Sequence, residues 1–133
     1  MRAVLDANVY VSALLTQGGN AKQIIDMLED GAFELAISEP ILDEIRRVLS
    51  YPHLVKTHRK SDQDVEDYVE LLRQNAILIA PQVRLDVSVD ESDNRYIECA
   101  VEGAADVLVT GDKKHLLPIK AYQGVQIISP AVF

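Results

Sequence analysis

Ala3-Val4-Leu5-Asp6-Ala7-Asn8, near the start of the chain, is a short apolar run that stops on an acid. Val107-Leu108-Val109-Thr110-Gly111-Asp112, near the other end, has the same form. Short apolar runs with β-branched residues read as buried strands. If these two are parallel neighbours, Asp6 and Asp112 emerge at one edge of one sheet. Open α/β sheets bind ligands outside the carboxyl ends of their strands.

The elements between them alternate in type. Residues 20–30 read as a helix, with Asn20 as its cap, Ile24, Ile25 and Leu28 on one face, and Gly31 as its stop. Phe33 to Ile37 is a second strand. Ser38 precedes a helix that runs to about Leu49 and that Pro52 ends. Ser61-Asp62-Gln63-Asp64 resembles a capping box, and Val65, Tyr68, Val69 and Leu72 follow on one face. Ala76 to Ala80 is a third strand, residues 93–102 a helix closed by Gly103, Val107 to Val109 a fourth strand and Val125 to Ile128 a fifth. Strands alternating with helices predict an α/β fold, with a mostly parallel five-stranded sheet flanked by helices on both faces. The 133 residues fit one domain, 1–133, without internal repeats or linkers.

Composition narrows the class. Hydrophobic residues make up 48% and charged residues 26%, enough for a packed core. No apolar run approaches the roughly 18 residues of a membrane span, and the first acid, Asp6, comes too early for a secretory signal. Cys99 is the only cysteine, which excludes a disulfide framework and a cysteine zinc site. A cytoplasmic location is expected. The net charge of −8 argues against coating nucleic acid by charge alone. It is compatible with acids that bridge to phosphate through cations, and with a basic protein partner.

Twenty-one acids are present, so choosing among them needs geometry. At about 100° per residue, Ile41, Leu42, Ile45, Val48 and Leu49 share one arc of their helix; Glu44 borders that arc and Asp43 points away. In the later helix, Tyr96, Ile97, Cys99, Ala100 and Val101 define the inward face. Asp93 falls within it, while Asn94, Arg95, Glu98 and Glu102 cluster outside. A carboxylate on a buried face needs a partner. Each acid also has a plainer reading: Asp6 as a helix cap, Glu44 as a boundary charge, Asp93 as a first-turn acid complementing the helix dipole, Asp112 as a turn residue. Taken together, two acids lie at strand ends and two on inward sides of helices able to cover the same edge.

Four motifs then carry a resemblance. They are Leu5-Asp6-Ala7-Asn8 with Val9 to Leu14, Ile41-Leu42-Asp43-Glu44-Ile45, Asp90 to Ala100 around Asp93, and Ala105 to Leu117 around Asp112. In this order they resemble the PIN (PilT N-terminus) domain family, and most closely toxin components of toxin–antitoxin pairs. His115 stands where an acid is often found, which leaves a fifth ligand open. The resemblance implies an endoribonuclease using Mg²⁺ or Mn²⁺, in keeping with the preference of hard cations for carboxylate oxygen. It implies Asp6 and Asp93 as central ligands, with Glu44 and Asp112 binding metal or orienting the attacking water. Asn8 and Thr110 would support the site through hydrogen bonds, and Asp90 would serve as a cap or an outer acid. It further implies an RNA substrate, a small antitoxin partner and a homodimer or higher homo-oligomer.

Lys56-Thr57-His58-Arg59-Lys60 is the densest basic stretch, readable as an RNA-phosphate contact or as a solvated loop between helices. Lys113 and Lys114 flank Asp112. His53, His58 and His115 lack metal-ligand spacing and are expected at the surface. With 5% aromatic residues and no tryptophan, little material exists for base stacking. Two rivals remain. An aspartyl phosphohydrolase would want a carboxyl where Asn8 stands, and a receiver domain would want more acids after the first strand. A non-catalytic PIN-like RNA- or protein-binding module would be separated by metal-dependent cleavage. Changing Lys56, Arg59 and Lys60 to Ala is expected to weaken RNA binding and flatten its salt dependence. Single-turnover cleavage at saturating RNA should stay unchanged; an unaltered salt slope would exclude the basic stretch from binding.

Overall fold

Six strands form one sheet in the computed structural model of the chain, which describes residues 1–15 and 18–133. The strands are β1 (Arg2–Leu5), β2 (Glu34–Ser38), β3 (Ile77–Ile79), β4 (Val107–Val109), β5 (Ala121–Tyr122) and β6 (Val125–Ile128). Their spatial order is β3-β2-β1-β4-β6-β5. The helices are α1 (Ala7–Leu15), α2 (Asn20–Glu29), α3 (Glu39–Leu49), α4 (Pro52–His58), α5 (Asp62–Gln74) and α6 (Asn94–Glu102). The chain winds outward from β1 to β2 and β3 on one side, then returns to place β4 and β6 on the other. The strand order therefore reverses between β1 and β4.

Every pairing among β1, β2, β3, β4 and β6 is parallel. Ala3, Val4 and Leu5 are all fully buried. Successive strand residues point to opposite faces, so both faces of the centre are covered. Helix α6 packs on β1, β2 and β4, and α3 packs on β2. Leu35, Ile37, Leu108, Ile41, Leu42, Ile45, Leu49 and Ile97 complete the core. Burying a side chain of this size is worth about 1.5–3 kcal/mol. Cys99 lies in the same core.

The sheet has six strands, not five. The additional one, β5, pairs antiparallel with β6 through the two-residue turn Gln123-Gly124. Both turn residues have positive φ, 47° and 85°, the twist that a tight hairpin requires. A strand of two residues is too short to show periodicity.

Helix boundaries also differ. Asn20 is the first residue of α2 rather than its cap, which is Gly19. Gly31, at φ 75°, takes the left-handed turn just beyond the C-cap Asp30. The break after α3 falls near Pro52 as its chemistry demands, but Pro52 opens α4 instead of leading into a loop. Proline forces Tyr51 into extended backbone (φ −62°, ψ 133°) and itself suits the first turn of a helix. The basic stretch is thus partly helical: Lys56 to His58 end α4, and Arg59 caps it in left-handed conformation. His58 is part-buried, its Nε2 2.9 Å from the Leu49 carbonyl, rather than freely exposed.

The region around α6 holds the largest departure. A 3₁₀ turn, Glu91–Asp93, precedes α6. Asn94 (0% exposed) and Glu98 (3%) are buried, not solvated. The strap of residues 81–90 runs back over that face and donates its N–H groups to it. Leu85 N–H reaches Glu98 Oε2 at 2.8 Å. Val87 and Ser88 N–H reach Asn94 Oδ1 at 3.0 and 2.7 Å. The polar face expected to meet water instead satisfies the backbone of an otherwise irregular segment.

Helix α5 starts with a complete capping box: Ser61 Oγ accepts from Asp64 N–H, and the Asp64 carboxylate accepts from Ser61 N–H. Ser61→Ala is expected to cost about 1 kcal/mol, read as a lower urea midpoint with unchanged slope. Stability within error of the wild type would remove the cap from the account of α5.

Candidate active site

The register Leu5↔Val109 continues one step past the strand ends. There Asp6 N–H donates to the Val109 carbonyl at 2.9 Å, and Thr110 Oγ1 donates to Asp6 Oδ2 at 2.7 Å. Asp6 Oδ1 accepts from Asn8 N–H at 2.9 Å in the first turn of α1. One carboxylate therefore caps the helix with one oxygen and joins β1 to β4 with the other. Asp6 is 4% exposed and Thr110 0%. Burial raises the Asp6 pKa; the Thr110 and Asn8 hydrogen bonds lower it, and the charges of Asp112 and Glu44 raise it further.

Thr110 also fixes Asp112, whose N–H reaches Thr110 Oγ1 at 3.0 Å. Asp112 Oδ1 accepts from Lys114 and His115 N–H, both at 3.0 Å. Partial burial works against its charge, but the His115 N–H, the Asp93 carboxyl, the Lys114 N–H and the nearby His115 outweigh that and leave its pKa lowered. Asp93 has the opposite character. It is 7% exposed, and its Oδ2 is buried without an N–H or hydroxyl partner. Burial first, then the hydrogen bond shared with Asp112 and the charges of Asp90, Asp112 and Asp6, push its pKa up to about 8. Near neutral pH the proton therefore stays on Asp93, beside an Asp112 held ionised.

Glu44 leans from α3 over the same edge. Arg47, three residues on, holds it in a forked pair, with Nη2 2.6 Å from Oε1 and 2.5 Å from Oε2. Arg47 also reaches the Tyr51 hydroxyl at 3.1 Å. These acids line a cleft of about 390 Å³, together with Ala7, Asn8, Asp90, Ser92, Tyr96 and Gly111. The structure therefore brings Asp6, Glu44, Asp93, Asp112 and Asn8 to one cavity, with Thr110 buried beneath it. Asp90 caps the 3₁₀ turn, accepting from Ser92 N–H and Oγ at 3.1 and 2.7 Å, and still faces the cleft. Lys113 and Lys114 sit exposed beside Asp112. Lys56, Arg59 and Lys60 do not line this cleft; Lys60 borders a separate hollow with Leu14, Asp64 and Tyr68.

Three participants are not evident from sequence reading. Arg47 is signalled only by its i,i+3 spacing from Glu44. Tyr96 reads as core, yet its hydroxyl accepts the Ala7 N–H at 3.3 Å within the cleft lining. Asn94 reads as solvated, yet it ties the strap to the head of α6 and so sets the rim at Asp90.

Among the described residues, no group of three or more His, Cys, Asp or Glu side chains stands arranged to grip a metal ion. Two features account for that while leaving the donor set suitable. Arg47 neutralises Glu44, and a proton on Asp93 cuts the Asp93–Asp112 pair to a single negative charge; carboxylates left uncompensated would repel one another. The cleft offers carboxylate oxygen, and the partnerless Asp93 Oδ2 is the kind of donor a hard divalent cation satisfies. The residues fit such an ion, though they are not closed around its position.

The PIN domain family model matches residues 2–114. An uncharacterized protein of Methanocaldococcus jannaschii is 29% identical over 113 residues, covering 85% of this chain and 72% of that protein. Among solved structures, the fold is similar to a chain of VapBC2 from Rickettsia felis, crystallised with a DNA fragment from its promoter. The match has a TM-score of 0.64 and 16% identity, and covers 97% of this chain and 98% of that one.

The raised Asp93 pKa has a signed consequence. From the ordinary carboxylate range near 4 up to about 8, the unfolded chain has released this proton and the folded chain retains it. Stability of the metal-free protein therefore falls with rising pH across that window. The lowered pKa of Asp112 acts in the other direction, below the window, as pH drops through its folded value. Asp93→Asn is expected to flatten the decline between pH 4 and 8, measured by urea unfolding in chelator. An identical decline in the variant would remove Asp93 as its source.

Proposed function

The chain belongs to the PIN domain family, and from that premise we propose that it is a metal-dependent endoribonuclease of single-stranded RNA, acting as the toxin of a toxin–antitoxin pair. One observation carries the reading. Asp6, Glu44, Asp93 and Asp112 come from four separate parts of the chain and line one cleft at the point where strand order reverses. Acidic clusters exist in any acidic protein; one collected at the ligand-binding edge of an α/β sheet is a site in need of a cation.

In this reading Asp6 and Asp93 are the central ligands of Mg²⁺ or Mn²⁺, and Asp112 and Glu44 complete the set or orient water. A divalent cation, when bound, supplies charge neutralisation and Lewis acidity at the phosphate. Thr110 holds Asp6 in one rotamer, and the Asn8 N–H fixes its other oxygen. Asp93 keeps its proton beside the ionised Asp112 only while no cation lies in the cleft. Lys113 and Lys114 sit where they can meet the phosphates flanking the cut.

The net charge of −8 suits a small basic or amphipathic antitoxin segment lying over the acidic edge. A homodimer or higher homo-oligomer belongs to the same reading, as does a cytoplasmic setting; no described helix is long and apolar enough to cross a membrane. The grip of Arg47 on Glu44 favours a second reading, a PIN-like module that binds RNA or protein without cutting. An aspartyl phosphohydrolase has less support, because Asn8 stands where its general acid would be.

Purified protein is expected to cleave single-stranded RNA with Mg²⁺ or Mn²⁺ and to stop when chelated. Mg²⁺ should raise the melting temperature of the wild type by binding only the folded state. Asp93→Asn should remain folded, lose most of that shift and cleave orders of magnitude more slowly. Cleavage that survives thorough chelation would overturn the metal mechanism. Mg²⁺-dependent stabilisation without any cleavage would establish the binding module instead.

A further inference from the structure

A second groove, of about 370 Å³, adjoins the acidic cleft. Asn8 and Gly111 line both. Beyond them the groove is bounded by Ser12 of α1, Asn20 and Ala21 of α2, and Pro130, which follows β6. Its walls therefore stand at the carboxyl ends of β1, β4 and β6, continuing the edge that carries Asp6 and Asp112. The chemistry changes abruptly along that edge. The cleft is lined by five acids, whereas the described lining of the groove has no charged side chain. Amides and a hydroxyl (Asn8, Asn20, Ser12) face aliphatic surface from Ala21 and Pro130.

On the nuclease reading above, we infer that this neutral groove is a nucleobase subsite, holding the base of a nucleotide next to the phosphate in the acidic cleft. A strand crossing the sheet edge needs two kinds of surface in succession, one for phosphate and one for base. The groove offers no cation for a phosphate. It offers what an unstacked base needs, which is aliphatic contact for its faces and amide groups able to donate to and accept from its edge. Its volume is within the roughly 300–1,000 Å³ of ordinary ligand pockets. The subsite thus biases which nucleotide flanks the cut without aromatic stacking. Asn20 is exposed at the first position of α2, and the cap of that helix is Gly19, so its amide can serve a ligand without cost to the helix.

The test compares two fluorescein-labelled probes of equal length: a mixed-sequence single-stranded RNA and an abasic ribose-phosphate strand. Binding is followed by anisotropy in Ca²⁺, with Asn20→Ala, which removes the amide, and Ser12→Leu, which fills the groove from an exposed position of α1. The wild type should prefer the base-bearing strand by about three- to tenfold, the scale of one or two neutral hydrogen bonds. Both variants should lose that preference while binding the abasic strand as the wild type does. Variants that keep the full preference would overturn the subsite while leaving the nuclease reading in place. Equal binding of both probes by the wild type would do the same and turn the groove over to a protein segment. Failure of the wild type to bind either strand would overturn the nucleic-acid reading itself, and the subsite with it.

Discussion

The hydrogen bond from Thr110 to Asp6 is the point on which the site depends. It exists because β1 and β4 pair in parallel with Leu5 opposite Val109, so that the first residues past both strand ends meet. It is buried, and in that setting an unpaired Asp6 oxygen would be costly. The same threonine accepts the Asp112 N–H, which makes one side chain the hinge of two acids. A register slip between β1 and β4 would separate Thr110 from Asp6 and turn the strand residues to the wrong faces. Core packing of Leu5, Leu108 and Val109 thus sets the geometry of the acids above it.

Charge compensation is the second constraint, and each acid meets it differently. Asp6 is surrounded by N–H and hydroxyl donors. Asp112 is held by backbone N–H groups of the following turn. Glu44 is paired by Arg47. Asp93 alone has a buried oxygen with no such donor, and it responds by retaining a proton. These are four local solutions to one problem, a set of like charges gathered at a sheet edge. They also explain why the acids line a common cleft without forming a closed ligand cage.

The strap of residues 81–90 links fold and rim. It has no regular structure, so its N–H groups need acceptors elsewhere. Asn94 and Glu98 supply them, and the strap is thereby delivered to Asp90, which turns it into the 3₁₀ step carrying Asp93. Polar residues on the side of α6 turned away from the sheet are not surplus; they hold the approach to the site.

Much of this was legible in the sequence, for physical reasons that can be named. Apolar runs at Ala3–Leu5 and Val107–Val109 each end on polar residues, and that local pattern alone marks strands and the acids beyond them. Helical spacing placed Ile41, Leu42, Ile45 and Leu49 in the core and Glu44 at its border, because burial in a helix repeats with the geometry of the turn. Ser61 and Asp64 announced the start of α5, since a capping box is satisfied within four residues. What the chain could not reveal locally was anything that needs a distant partner. Asn94 and Glu98 look solvated until the strap covers them. Tyr96 looks like plain core until its hydroxyl meets Ala7. β5 is too short to have a pattern and exists only because β6 is there to pair with it. The acids, then, were written in the sequence one at a time; that Thr110 bonds Asp6 and that burial beside Asp112 raises the Asp93 pKa was decided by tertiary structure, because hydrogen bonds and pKa values depend on which groups meet across the fold and how far water is kept from them.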